Sequence, residues 1–136
     1  MPGPTRSDIL EKVNRFDRRA LIVDDSAAFC AAATRLLESA GVTVVGTAST
    51  TAAALRSAKE NCPDLILVDI DLGAESGFDV VEALLAASHP ARPDVILVST
   101  HDEDDFADMV ESSSAIGFLP KFGLSADAIM DLSTRG

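Results

Sequence analysis

The segment LILVDIDLGAESG, residues 65–77, ends an apolar run of strand length in Asp69 and sets Asp71 two residues later. Residues two apart in a strand point to the same side, so this spacing predicts two carboxylates crowded on one rim of a sheet. Like charges held that way raise each other's pKa unless a cation is shared between them. Other polar groups also end apolar runs: Asp24-Asp25 after the first, Ser99-Thr100 after the fourth and Lys121 after the fifth. Mg²⁺ prefers oxygen ligands, keeps several waters, and is usually held by one or two carboxylates together with a phosphate oxygen. With such a cation screening the approaching anion, an aspartate can attack phosphorus. Lys121 can pair with the transferred group and Ser99 can donate a hydrogen bond to it. On this chemistry Asp24, Asp25 and Asp69 share the cation and Asp69 is the nucleophile.

That chemistry requires the residues to meet. Five short runs rich in Val, Ile and Leu, residues 20–23, 42–46, 65–68, 95–98 and 116–119, show little polar alternation, as strands covered on both faces do. Helical patterns lie between them. Phe29, Ala32, Ala33, Leu36, Leu37 and Ala40 form one stripe that Gly41 is placed to end, Val80, Val81, Leu84 and Leu85 a second, and Phe106, Met109 and Val110 a third. Residues 50–59 form an Ala-rich helix that owes more to propensity than to pattern. Ser125 can cap a short last helix, with Leu124 and Ile129 as its staple. Strands alternating with helices imply an α/β fold with right-handed crossovers. The five units fit a flavodoxin-like doubly wound parallel sheet, order 2-1-3-4-5, with helices on both faces. All carboxyl ends of such a sheet open on one edge, which brings together acids distant in sequence.

A chain of 136 residues forms one domain with a core of its own. Residues 20–136 are that domain, and 1–19 form an extension in which Asp8 and Glu11 are spaced to cap a short helix. This helix either packs on the domain or serves a partner or a second copy. Net charge is −11, and five of the eleven basic residues precede Ala20, so the body repels DNA backbone and anionic lipid. No apolar run is long enough to span a bilayer and MPGPTRS lacks signal-peptide features, so a cytoplasmic location is expected. Cys30 and Cys62 are expected as buried thiols. With only His89 and His101 in the chain, no Cys/His zinc site can be assembled, and little is left for a Ser/His/Asp arrangement. The acidic run DEDDFADMVE, residues 102–111, is expected to start a helix with its acids at the positive end of the dipole.

The motifs LIVDDS, LILVDIDLGAESGFDVV, VILVST and GFLPKF, spread over residues 20–129, resemble response-regulator receiver domains of two-component signalling. The resemblance implies that Asp69 accepts phosphoryl from the phosphohistidine of a histidine kinase or phosphotransfer protein. It implies that Asp25, Asp69 and the backbone carbonyl of Asp71 hold Mg²⁺ or Mn²⁺, with Asp24 acting through water. Ser99 falls at the switch hydroxyl, Phe118 at the switch aromatic, and Lys121 at the family's lysine. Asp71 and His101 fall where the lifetime of the aspartyl phosphate is tuned, and Gly77 at the expected distance past the acceptor. Phosphorylation would shift the surface of the fourth helix, fifth strand and fifth helix for an output protein or fused output domain. Two departures stand out: Leu72-Gly73 lacks the proline common in that loop, and Phe122, not proline, follows Lys121.

Two other functions fit parts of the pattern. Asp69-Ile70-Asp71 also resembles the nucleophile motif of haloacid-dehalogenase-type phosphatases, but there the DxD opens the chain and an acidic pair closes it. A binding module of this fold that is never phosphorylated needs none of these acids. The pattern therefore favours a phosphorylatable receiver that is not itself an enzyme, either standing alone or belonging to a larger regulator.

Overall fold

Each of the five Val/Ile/Leu-rich runs forms a strand in the computed structural model, which describes residues 18–87, 92–100 and 103–135. The expected extension at 1–19 lies almost wholly outside those residues, as do His89 and His101. The strands are β1 (Arg19–Val23), β2 (Thr43–Ala48), β3 (Leu65–Asp69), β4 (Asp94–Ser99) and β5 (Gly117–Pro120). All pair in parallel in the order β2-β1-β3-β4-β5. The helices are α1 (Ala27–Ser39), α2 (Thr51–Asn61), α3 (Gly77–Ala87), α4 (Ala107–Ser112) and α5 (Ala126–Arg135). The sheet has the flavodoxin-like doubly wound arrangement.

The missing polar alternation is explained by burial on both faces: every residue of β3 is buried, as are five of the six in β4. Leu21, Val23, Ile66, Val68 and Leu97 face one way, onto Ala54 of α2 and Val80, Val81 and Leu84 of α3. Ala20, Ile22, Leu67, Ile96 and Val98 face the other, onto Ala33 and Leu37 of α1 and Ile129 and Met130 of α5. Each of the Val, Leu, Ile and Met side chains among them contributes about 1.5–3 kcal/mol by leaving water. At the amino edge, Arg18 reaches Asp94 at 2.7 Å and also contacts Ser133. The Ser133 hydroxyl donates to the same Asp94 oxygen at 2.6 Å, so α5 is tied to the sheet by a polar clamp as well as by its apolar face.

Caps set the helix limits. Ser26, Thr50 and Ser125 each accept a backbone N–H three residues on, at 3.2, 3.1 and 3.1 Å. Gly41, at φ 94°, follows the last residue of α1's C-cap turn, the left-handed conformation glycine tolerates best. Two expectations are corrected. The acidic run forms a 3₁₀ turn over Glu103–Phe106 before α4 begins at Ala107, so of its acids only Asp108 stands in the first turn of α4, and Phe106 gives no side-chain cap. Neither cysteine is a fully buried thiol: both are free, Cys30 is half-buried, and Cys62 is exposed at the C-cap of α2 in a left-handed conformation, φ 48°.

An L-residue in that conformation costs about 1–2 kcal/mol, against a smaller entropic cost for glycine. Cys62→Gly is therefore expected to raise unfolding free energy by about 0.5–1 kcal/mol in urea denaturation. An unchanged or lower midpoint would contradict the assigned strain.

Candidate metal centre

β1 and β3 are neighbours with Val23 paired to Val68, so the residues that follow emerge side by side at the carboxyl edge. Asp24, Asp25 and Asp69 each offer a carboxylate oxygen, and these atoms lie within 4.8 Å of one another. Asp24 and Asp69 are buried, while Asp25 is exposed and borders an open cleft of about 730 Å³ between the start of α1 and the end of β2. Backbone amides hold the buried pair: Ser26 N–H donates to Asp24 Oδ1 at 2.8 Å, and Asp71 N–H to Asp69 Oδ1 at 3.2 Å.

Lys121 supplies the counter-charge. Its amide donates to the Ser99 carbonyl at 2.8 Å, carrying the β5 ladder one residue past the strand and turning the side chain toward the acids. Nζ lies 2.6 Å from Asp24 Oδ2 and 3.3 Å from Asp69 Oδ2, and sits 4.4 Å above the centre of the Phe29 ring. Phe29 thus adds an aromatic face to the ammonium, a role that its place in the α1 stripe did not signal. Ser99 is buried and stands next along β4 after Val98, the partner of Asp69. Phe118 is also buried and packs in the cluster that holds Val68 and Leu97.

Burial pushes the Asp69 carboxyl above its usual range; the Asp71 amide pulls against this, the Asp24 charge adds to it, and Lys121 opposes it. Burial alone would lower Lys121, but contact with Asp24 and the charges of Asp69 and Asp24 outweigh it and hold the ammonium above its ordinary value. Burial also raises the Cys30 thiol, helped by the Asp24 charge, so this group serves as a proton donor to the Asp24 carbonyl, 3.5 Å away.

The group suits a hard cation on its own chemistry. Its donors are all carboxylate oxygens, the class that Mg²⁺ and Mn²⁺ take. Asp24 Oδ2, though buried, has no aligned hydrogen bond and is answered only by the ion pair with Lys121. The acids carry three charges against one ammonium.

The carboxylate of Asp71 does not crowd the rim, contrary to the strand-spacing expectation. β3 stops at Asp69, so the two-residue alternation no longer applies; Asp71 is exposed and its Oδ1 accepts from Gly73 N–H at 3.1 Å. The chain turns back there as a hairpin, Asp71 pairing with Ser76 and Leu72 with Glu75, with Gly73 at φ 74°. This hairpin stands where the proline was missing. Gly77 closes it: a Cβ at that position would lie 2.0 Å from the Asp69 carbonyl oxygen, so only glycine lets α3 start against the end of β3.

A carboxyl whose pKa is higher in the folded chain binds more protons folded than unfolded. Its ionisation therefore costs stability in full above the folded value, and the cost disappears below the unfolded one, about 3.9. In EDTA at pH 7, Asp69→Asn is expected to melt above the wild type, with the gap closing as pH falls through the folded value. Equal or lower melting at pH 7 would contradict the balance described.

Comparison with known proteins agrees with this geometry. The family model described as response regulator receiver domain matches residues 20–131. The chain is 33% identical over 104 residues to response regulator GacA of Pseudomonas viridiflava, covering 76% of this chain and 48% of that protein. It is 39% identical over 85 residues to protein-glutamate methylesterase/protein-glutamine glutaminase 2 of Caulobacter vibrioides, covering 62% of this chain and 24% of that protein. The chain thus spans half or less of the length of these relatives. Among solved structures, it resembles the signal receiver domain of the putative response regulator NarL from Mycobacterium tuberculosis, with TM-score 0.73 and 30% identity over 88% of this chain and 94% of that one. With a matching family model over most of its length, the chain belongs to the response regulator receiver domain family.

Proposed function

We propose that Asp69 accepts a phosphoryl group from the phosphohistidine of a histidine kinase or phosphotransfer protein. The observation that carries this reading is the acid trio within 4.8 Å, with Lys121 in contact with two of its members. An Asp69 oxygen forms the new bond to phosphorus as the phosphorus–nitrogen bond of the donor breaks, and the departing imidazole takes a proton from solvent. Asp25, Asp69 and the Asp71 carbonyl would hold Mg²⁺ or Mn²⁺, with Asp24 acting through water. A cation held there offsets the repulsion between the acids and the incoming phosphoryl group. Lys121, already 3.3 Å from Asp69 Oδ2, pairs with a phosphoryl oxygen after transfer. The Asp71 amide holds one acceptor oxygen in place throughout.

Transfer adds roughly −1.5 to −2 charge at Asp69. Ser99, one residue beyond the partner of Asp69, is drawn to the new oxygens, and the buried position of Phe118 is compatible with an inward-facing aromatic. The surface of α4, β5 and α5 then presents the signal to an output protein or output domain. In this reading the chain is a switch in the cytoplasm, without turnover of its own. No described helix is long and apolar enough to cross a membrane. The methylesterase activity in one relative's name belongs to a protein of which this chain matches 24%.

Incubation with acetyl phosphate and Mg²⁺ is expected to place one acid-stable, base-labile label on the wild type and none on Asp69→Asn or in EDTA. Lys121→Met is expected to slow labelling about a hundredfold, the scale of losing one charge-stabilising donor. Decay of the label is expected to change in Asp71→Asn or His101→Ala. Continuous hydrolysis of phosphate monoesters would instead mean a phosphatase, and absence of label a binding module.

A further inference from the structure

The 71–76 hairpin has little to hold it. Asp71, Gly73, Ala74 and Glu75 are exposed, the ladder is two residues long, and Leu72 is its only side chain in the core. Yet this hairpin carries the Asp71 amide that fixes Asp69 Oδ1, and its Gly73 lies beside Asp25: a Cβ there would be 3.5 Å from Asp25 Oδ2. Any tilt of the hairpin moves both groups together.

One long-range bond opposes that tilt. Glu75 Oε1 accepts from Thr51 N–H at 2.7 Å, across 24 residues of sequence. Thr51 is the first residue of α2, and the first amides of a helix have no partner within it. The Thr50 hydroxyl already serves Ala53 N–H, which leaves the Thr51 amide to Glu75. A carboxylate at that end also meets the positive pole of the helix.

We propose that Glu75 is a positioning residue for the acceptor site: it moors the 71–76 hairpin to the start of α2 and so sets the Asp71 amide against Asp69 and the backbone beside Asp25. The inference rests on the reading of Asp69 as phosphoacceptor, and it adds a residue that touches neither phosphoryl group nor cation.

The test uses the whole chain with three substitutions. Glu75→Ala removes the mooring. Glu75→Gln keeps an acceptor oxygen without the charge. Thr51→Pro removes the donor alone, because proline is favoured at a first helical position and Thr50, at φ −139° and ψ 163°, has the backbone that a residue before proline requires. Two quantities are read: Mn²⁺ affinity by electron paramagnetic resonance, and the amide resonance of Asp71 by NMR. Glu75→Ala and Thr51→Pro are each expected to weaken Mn²⁺ binding about tenfold, the scale for losing an outer support of a metal site. Both are expected to shift the Asp71 amide upfield while the circular dichroism spectrum stays unchanged. Glu75→Gln is expected to restore most of both signals, and Glu75→Ala should add nothing in the Thr51→Pro background. An unmoved Asp71 amide in Glu75→Ala, or a full additional effect on top of Thr51→Pro, would overturn the proposal. If the wild type binds no Mn²⁺, the acceptor-site reading fails, and the Asp71 amide still decides the part played by Glu75.

Discussion

Three carboxylates are pressed together at the carboxyl edge of this sheet against a single ammonium, and the rest of the molecule is arranged around that imbalance. Two unit charges about 4 Å apart repel by about 4 kcal/mol at an effective dielectric near 20. Lys121 answers Asp24 and Asp69 but not Asp25, which remains at the surface. Desolvating an ion pair consumes much of the attraction it gains, so the cluster is no source of folding energy. It is held by backbone amides and by strands whose side chains are buried on both faces. On the proposed function, a cation and a phosphoryl group would both act on this same unrelieved charge.

The supporting structure follows from that load. Placing β1 next to β3 brings Asp24 and Asp25 to Asp69, and ending β4 and β5 in register brings Ser99 and Lys121 to the same rim. Close approach at Gly77 lets α3 begin under Asp69, and the hairpin between them delivers the Asp71 amide. At the far edge, the Arg18, Asp94 and Ser133 clamp holds α5 to the strand starts, so a change at the carboxyl edge meets a helix anchored at its other end.

Much of this was legible in the sequence, for identifiable reasons. Strands buried on both faces announce themselves as unbroken Val/Ile/Leu runs, and each of the five runs proved to be a strand, with limits moved by at most two residues. Asp24, Asp25, Asp69 and Lys121 are readable because each lies within two residues of the end of such a run, and strand ends in a parallel sheet share an edge. Errors arose where local pattern had no tertiary information behind it. Strand alternation does not reach Asp71, because the strand stops at Asp69. The acids of 103–106 belong to a 3₁₀ turn ahead of α4, a distinction that acidic composition alone does not carry. Cys62 looked apolar and helix-bound, yet its left-handed backbone puts it at the surface. Phe29 and Glu75 act through partners 92 and 24 residues away, Lys121 and the Thr51 amide, and no local spacing marks such contacts.

The central claim is that these three acids converge in order to share a cation. Crystals grown with Mn²⁺ and measured for anomalous scattering test it most directly. The account predicts one strong peak about 2.1 Å from carboxylate oxygens of Asp25 and Asp69, the contact distance of a small hard cation. A peak elsewhere, or none at saturating Mn²⁺ with the acids still clustered, would contradict it.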